Sequence, residues 1–227
     1  MRGAIIALCI FLLNFNLYCQ WDYGFIESAI PVVVNGDTLE NPWTGGLTAP
    51  QWSPIDFDQD GDNDLFAFDR DGYRLLAFER TNEGWKYRPQ WVEGWPELKE
   101  WCLLRDYDCD GRVDIFTGFQ NGIYVYRNIT ENPEFSQFEP VATPLIASYN
   151  FGSVEQMIPV VCLGLDIPAI LDIDNDGDLD IISFTESSST LYKYEGISNC
   201  GLEMKCTNRC YGMLAEASEN NSLFIGD

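Results

Sequence analysis

Three acidic segments that share one pattern constrain this chain more than any other feature. Each is a nine-residue loop with aspartate at positions 1, 3, 5 and 9 and glycine at position 6. Loop 1 spans residues 56–64, loop 2 spans 106–114 and loop 3 spans 172–180. Carboxylates at alternate positions around a turn-permitting glycine surround a hard cation with oxygen atoms. The three copies therefore predict a repeated fold built on cation-binding loops.

The predicted ion is Ca²⁺, which takes six to eight oxygen ligands at about 2.3–2.6 Å. Position 7 varies between Asp and Arg, as expected if its backbone carbonyl is the ligand. The predicted carboxylate ligands are Asp56, Asp58, Asp60, Asp64, Asp106, Asp108, Asp110, Asp114, Asp172, Asp174, Asp176 and Asp180. The predicted carbonyl ligands are those of Asp62, Arg112 and Asp178. We expect about three sites, with loop 2 the weakest because Arg112 and Cys109 reduce its negative field.

Other interpretations of the loops fit less well. An EF-hand needs a bidentate Glu at its twelfth position, where these loops reach Ala67, Thr117 and Ser183. Acidic Asp–Gly turns can simply connect hairpins, but crowded carboxylates repel one another unless a cation neutralises them. Mg²⁺ demands stricter octahedral geometry. We expect a structural rather than a catalytic ion, because a shell filled by protein oxygens leaves no open position.

Short apolar segments around each loop predict four strands per copy. The predicted strands are 51–55, 65–68, 74–78 and 85–88; 101–105, 115–119, 123–126 and 135–141; and 168–171, 181–184, 191–194 and 202–205. The first aspartates lie 50 and 66 residues apart, and residues 142–165 are interpreted as an insertion in the longer interval. Repeats of about 40–50 residues with four short antiparallel strands are typical of β-propeller blades. The predicted fold class is therefore all-β.

The repeat resembles a known family. Asp-x-Asp-x-Asp-Gly-x-x-Asp, an apolar strand, and then Gly122 with the aromatic strand Ile123–Asn128 resemble the FG-GAP/VCBS repeat of integrin-like β-propellers. The strings at 41–46, 69–72 and 208–212 look like those of secreted VCBS-repeat proteins of Bacteroidota. The resemblance covers most of 41–212 and implies a Ca²⁺-stabilised propeller outside the cell. Closed propellers need about four to eight blades, so the three recognisable blades indicate an incomplete propeller and an N-terminal fragment.

The N-terminus predicts export. Residues 1–19 are interpreted as a signal peptide, because one positive charge precedes an apolar run too short to span a membrane stably. A retained anchor and a lipoprotein signal with Cys19 lipidated are the alternatives. Residues 20–50 form a predicted N-terminal strand segment with a hairpin at Asn35-Gly36, and 51–227 hold the repeats. The mature chain is expected outside the cell or on its surface, without a stable membrane span.

The net charge limits the possible binding partners, and the cysteine content predicts disulfide bonds. A formal net charge of −23 makes nucleic acid and anionic membranes poor partners. Six cysteines remain after signal removal, at 102, 109, 162, 200, 206 and 210, and export would let disulfides persist among their fifteen possible connectivities. Cys200, Cys206 and Cys210 are close in sequence, so at least two of them are expected to pair. A zinc site there lacks a fourth ligand, because the chain contains no His.

The expected role is binding rather than catalysis. Without His, serine triads are excluded, although an acid pair among Glu93, Glu97, Glu100, Glu131 and Glu134 stays open. Aromatic residues of the segment 85–101 can bind carbohydrate or pack in the core. The predicted function is an exported calcium-binding repeat protein for adhesion or surface scaffolding, with an unidentified extracellular protein or carbohydrate ligand. The alternatives are a propeller accessory to a secreted hydrolase or lyase whose catalytic module lies elsewhere, and a nonfunctional truncated product.

Overall fold

A computed structural model describes residues 30–132, 135–185, 188–217 and 222–226. The chain divides into two compact units, residues 1–39 and 40–227. In the described part of the first, β1 (Val33–Val34) and β2 (Asp37–Thr38) form an antiparallel hairpin. Asn35 and Gly36 have φ values of 55° and 98°, the left-handed backbone that a type I′ turn requires. The predicted hairpin is confirmed, whereas the predicted signal peptide lies outside the described residues.

Two sheets of four antiparallel strands follow in sequence order. The first sheet contains β3 (Pro50–Ile55), β4 (Asp64–Asp69), β5 (Arg74–Thr81) and β6 (Gly84–Tyr87). A short 3₁₀ helix at Pro89–Val92 leads out of it. The second sheet contains β7 (Cys102–Arg105), β8 (Asp114–Phe119), β9 (Gly122–Asn128) and β10 (Phe138–Ala142). Both sheets have the four strands that the sequence predicts.

The third sheet is larger than predicted. It is built from β11 (Ile146–Phe151), β12 (Val154–Pro159), β13 (Ala169–Leu171), β14 (Asp180–Thr185), β15 (Ser188–Gly196) and β16 (Met204–Asn208). Strands β13–β16 are an antiparallel meander, and β11 pairs in parallel with its last strand, Ala147 opposite Met204. The predicted insertion 142–165 therefore extends the third sheet. A further pair, β17 (Leu214–Glu216) with β18 (Leu223–Ile225), joins β15 after a 3₁₀ turn at Tyr211–Met213.

Two apolar cores join the three sheets. Side chains of β8 alternate between them: Ile115 packs in the core shared with the first sheet, and Phe116 packs in the core shared with the third. The first core also contains Phe66 and Phe68, and the second contains Trp101, which is fully buried. Each such side chain contributes roughly 1.5–3 kcal/mol relative to leaving it exposed. The second sheet is thus covered on both faces.

The topology places the acidic loops consistently. Each joins the first strand of an antiparallel meander to the second: β3 to β4, β7 to β8, and β13 to β14. The fold is all-β, and its described strands form open sheets that do not close on themselves. Among the described residues, no helix has the length and apolar character needed to cross a membrane.

Candidate metal centres

The aspartate at position 9 fixes each loop to its sheet. We call Asp64, Asp114 and Asp180 the closing aspartates; each is the first residue of its strand and is buried. In loop 1 the amide of Phe57 donates to Asp64 Oδ2 (3.0 Å), and the amide of Arg80 on the third strand donates to Oδ1 (2.8 Å). The equivalent donors are Tyr107 (3.0 Å) and Asn128 (2.8 Å) for Asp114, and Ile173 and Gly196 (both 3.2 Å) for Asp180. One carboxylate thus joins the loop to the third strand in every copy.

The turn inside each loop also repeats. The residue at position 4 has left-handed backbone, with φ values of 61° at Gln59, 59° at Cys109 and 62° at Asn175. The glycine amide at position 6 donates to the first aspartate, with distances of 3.1 Å in loop 1, 2.9 Å in loop 2 and 3.1 Å in loop 3. The glycine at position 6 also has positive φ, with values of 93°, 86° and 98°, a backbone that glycine takes without the steric cost that other residues bear. The sequence pattern therefore folds into the same turn three times.

The turns bring carboxylates together. In each loop, three acidic residues offer ligand atoms that all lie within 4.8 Å of one another. These clusters are Asp56, Asp58 and Asp64; Asp106, Asp108 and Asp114; and Asp172, Asp174 and Asp176. Two oxygens bound to one Ca²⁺ lie at most about 5 Å apart, twice the bond length. The spacing fits a divalent ion, and these acidic clusters can hold one.

Some predicted ligands lie outside these clusters. Asp60, Asp110 and Asp180 are not among the converging atoms. Asp60 Oδ1 instead accepts a hydrogen bond from the amide of Asp62 (2.8 Å), and Asp110 Oδ1 accepts one from the amide of Arg112 (2.9 Å). The carbonyl ligation assigned to Asp62, Arg112 and Asp178 stays a prediction.

Burial of ionised carboxylates destabilises the metal-free folded state at these clusters. Burial raises the pKa of Asp114 to about 6, although its two backbone hydrogen bonds oppose the change. Burial likewise raises the pKa of Asp64 and of Asp180. In loop 2, Asp106 Oδ1 is buried and accepts no hydrogen bond from the described residues. A bound cation would relieve both the crowding and the desolvation of these oxygens.

Two arginines and a disulfide bond contact or belong to loop 2: Arg112 and Cys109 lie in the loop, and Arg127 lies on β9. Arg127 Nε lies 2.6 Å from Asp108 Oδ2, and the Arg112 guanidinium pairs with Asp110. Cys109, at position 4, is bonded to Cys200 in the connection between β15 and β16, with a Cα–Cα distance of 5.2 Å.

The expected pairing within the Cys200–Cys210 segment is therefore wrong. Packing of the third sheet against the second brings Cys200 to loop 2 instead. Cys206 packs partly buried against the second core and is free, and Cys210 is free and exposed.

A buried lysine of β15 lies against loop 3. The Lys193 side chain is 9% exposed, and its Nζ lies 3.3 Å from Asp174 Oδ2 and 3.6 Å from Asp180 Oδ2. Asp178 is buried, and its Oδ1 accepts no hydrogen bond from the described residues. Sequence reasoning did not single out Lys193 or Arg127. An alignment of the three copies would have shown that Lys193 occupies a position that is apolar in the other two, where it is Ala77 and Val125.

The structure also places several of the aromatic and acidic residues considered for carbohydrate binding and for an acid pair. Of the tryptophans between 85 and 101, Trp91 and Trp101 are buried in the cores, while Trp85 is 42% exposed. Glu97 forms an ion pair with Lys99 (3.2 Å), and Glu134 lies outside the described residues. The alternatives of an acid pair and of carbohydrate binding therefore stay open.

Comparison with known proteins adds no family. No family model, curated protein or solved structure matches the chain. The resemblance to FG-GAP/VCBS repeats therefore stays a hypothesis that rests on the residues and on the loop geometry.

Proposed function

We propose that this chain is an exported calcium-binding repeat protein with a binding, adhesive or scaffolding role at the cell surface. The observation that carries the proposal is a cluster of three converging carboxylates at the same end of three meanders, from positions 1, 3 and 9 in loops 1 and 2 and from positions 1, 3 and 5 in loop 3. One acidic turn would be an ordinary connector. Three clusters with matching hydrogen bonds favour a repeated ion-binding device.

Calcium is the ion of choice because the donors are hard oxygens in flexible loops. The residues that would hold it are Asp56, Asp58 and Asp64 in loop 1, Asp106, Asp108 and Asp114 in loop 2, and Asp172, Asp174 and Asp176 in loop 3. When bound, the ion would supply positive charge to carboxylates that the fold desolvates. Because the closing aspartate also bonds the third strand, ion binding at the loop would stabilise the whole meander.

Two further observations support the extracellular repeat hypothesis. Three stacked four-stranded meanders, each with an acidic loop between its first two strands, are the units expected of FG-GAP/VCBS propeller blades. The Cys109–Cys200 disulfide favours an oxidising compartment. In that setting, the exposed parts of the sheets would carry the contacts to an extracellular protein or carbohydrate.

The test is thermal unfolding of residues 20–227 in calcium, in magnesium and in chelator. Calcium at about one hundred times the dissociation constant stabilises one site by about 2.7 kcal/mol, so the melting temperature should rise clearly. The variant Asp58→Asn/Asp108→Asn/Asp174→Asn should lose most of that rise. Asp71→Asn, at an exposed acid outside the loops, is the matched control and should keep it. Identical melting curves of the wild-type chain with calcium and with chelator would refute the proposal.

A further inference from the structure

The three copies differ in the charged residues that face the loops. On the third strand of each meander, the residue three positions before the one that bonds the closing aspartate is Ala77, Val125 or Lys193. Ala77 and Val125 are fully buried, and Lys193 is 7% exposed. Lys193 thus places an ammonium group where the other copies have core side chains.

The lysine is surrounded by acids. Its Nζ contacts Glu195 Oε1 at 3.1 Å in addition to Asp174 and Asp180 of loop 3. A buried ammonium is costly unless it is paired. Its position is therefore explained by the loop carboxylates, which it partly neutralises.

Loop 2 has a similar arrangement from a different residue. Arg127, one position before the residue that bonds the closing aspartate, pairs with Asp108. The equivalent positions in the other copies carry Glu79 and Glu195. Arg112 adds a second cation at Asp110.

Loop 1 has no such partner. Among the described residues, no lysine or arginine forms an ion pair with Asp56, Asp58, Asp60 or Asp64. Glu79, the nearest equivalent of Arg127, is itself paired with Arg88 and adds negative charge close to Asp58. The carboxylates of loop 1 thus lack the neutralisation that loops 2 and 3 receive.

Two carboxylate oxygens indicate that the tethered cations do not complete the neutralisation. Asp106 Oδ1 in loop 2 and Asp178 Oδ1 in loop 3 are buried and accept no hydrogen bond from described residues. Buried carboxylate oxygens normally have partners. Loops 2 and 3 thus still contain carboxylate oxygens that a further cation would neutralise, in addition to those paired with Arg127 and Lys193.

We propose that Lys193 and Arg127 are tethered counter-cations that hold loops 3 and 2 folded without metal and compete with calcium there. The inference rests on the proposed calcium function. It makes the three sites unequal: loop 1 binds calcium most tightly, and loops 2 and 3 bind only when calcium overcomes the tethered charge. The protein would then respond to calcium in two concentration ranges.

The test is calorimetric titration of residues 20–227 with calcium, together with melting curves in chelator. The wild-type chain should show one tight and two weaker sites. Lys193→Met should make one weaker site at least about tenfold tighter and should lower the melting temperature in chelator, because loop 3 loses its internal cation. Arg127→Gln should act in the same way on loop 2. Lys99→Met removes a lysine whose ion-pair partner is the exposed Glu97 and whose Nζ lies 5.1 Å from the centre of the Phe119 ring; it should leave the calcium titration unchanged.

One substitution per loop assigns each measured calcium affinity to its loop. Asp58→Asn should remove the tight site, and Asp174→Asn in the Lys193→Met background should remove the site that had become tighter. Three equal sites in the wild-type chain, or titrations unchanged by both Lys193→Met and Arg127→Gln, would overturn the inference alone. Absence of calcium binding by the wild-type chain and by both variants would overturn the proposed function as well.

Discussion

The Cys109–Cys200 disulfide should contribute a large share of the stability of the chain. It closes a loop with a sequence separation of 91 residues. In the chain-entropy model, a cross-link over such a loop disfavours the unfolded state by about 4.6 kcal/mol at 25 °C. Its two ends lie in loop 2 and in the β15–β16 connection. The cross-link therefore also holds the second sheet to the third across their shared core.

Removal of the cross-link should be measured on the double variant Cys109→Ser/Cys200→Ser. Guanidinium unfolding, followed by tryptophan fluorescence in calcium under non-reducing conditions, should give a free energy of unfolding lower by roughly 2–5 kcal/mol. In a chain of this size each kcal/mol shifts the melting temperature by about 2–4 °C. The melting temperature should therefore fall by roughly 4–20 °C.

Two comparisons make the test decisive. Cys210→Ser changes an exposed free thiol and should leave stability within about 0.5 kcal/mol of wild type. A reducing agent should destabilise the wild-type chain to nearly the level of the double variant and should leave the double variant unchanged. If the double variant unfolds at the same denaturant concentration as wild type, then the cross-link does not constrain the unfolded chain and the reasoning fails.

Two further predictions concern pH and packing. The folded-state pKa of Asp114, about 6, lies above its ordinary value near 3.9, so the metal-free folded chain binds that proton more tightly than the unfolded chain does. Metal-free stability measured by urea unfolding should therefore rise as pH falls from about 7.5 to about 5.5, and the contribution of Asp114 should be lost as pH rises through about 6. A steady decrease of stability as pH falls over that range would contradict this. Saturating calcium should reverse the trend. Separately, a Cβ at Gly118 would collide with the indole ring of the fully buried Trp101, with Cδ1 at 2.9 Å, so Gly118→Ala should cost about 1–3 kcal/mol by overpacking. Gly45→Ala, where a Cβ meets no atom within 4 Å, is its control, and equal stability of the two variants would refute the packing argument.

Local pattern was sufficient to predict most strands. In runs such as 65–68 and 115–119, successive side chains pack in different apolar clusters, and turn residues bound each run, so neighbouring positions are enough to predict a strand. The Asn35-Gly36 hairpin is likewise a local signal. The repeated loop pattern correctly placed three acidic turns at the same point of three meanders.

Long-range pairing was not predictable in the same way. The sequence pattern predicts an insertion at β11, because the partner strand β16 lies more than fifty residues later and runs parallel to it. The partner of Cys200 was missed for a related reason: Cys206 and Cys210 are near in sequence, but sheet packing decides which sulfur is near in space. In both cases the residues that pair in the fold are far apart along the chain, so local pattern does not identify them.

The departures from the repeat carry more information than the repeat itself. The shared aspartates explain why all three loops turn alike, but the replacements at Cys109, Arg127 and Lys193 distinguish them. Each replacement gives loop 2 or loop 3 a covalent or ionic bond that does not need a metal ion. Within the described residues, loop 1 has no such bond and is held by hydrogen bonds and by the burial of Phe57 in the first core. Removal of calcium should therefore loosen loop 1 and the adjoining ends of β3 and β4 before it affects the rest of the fold.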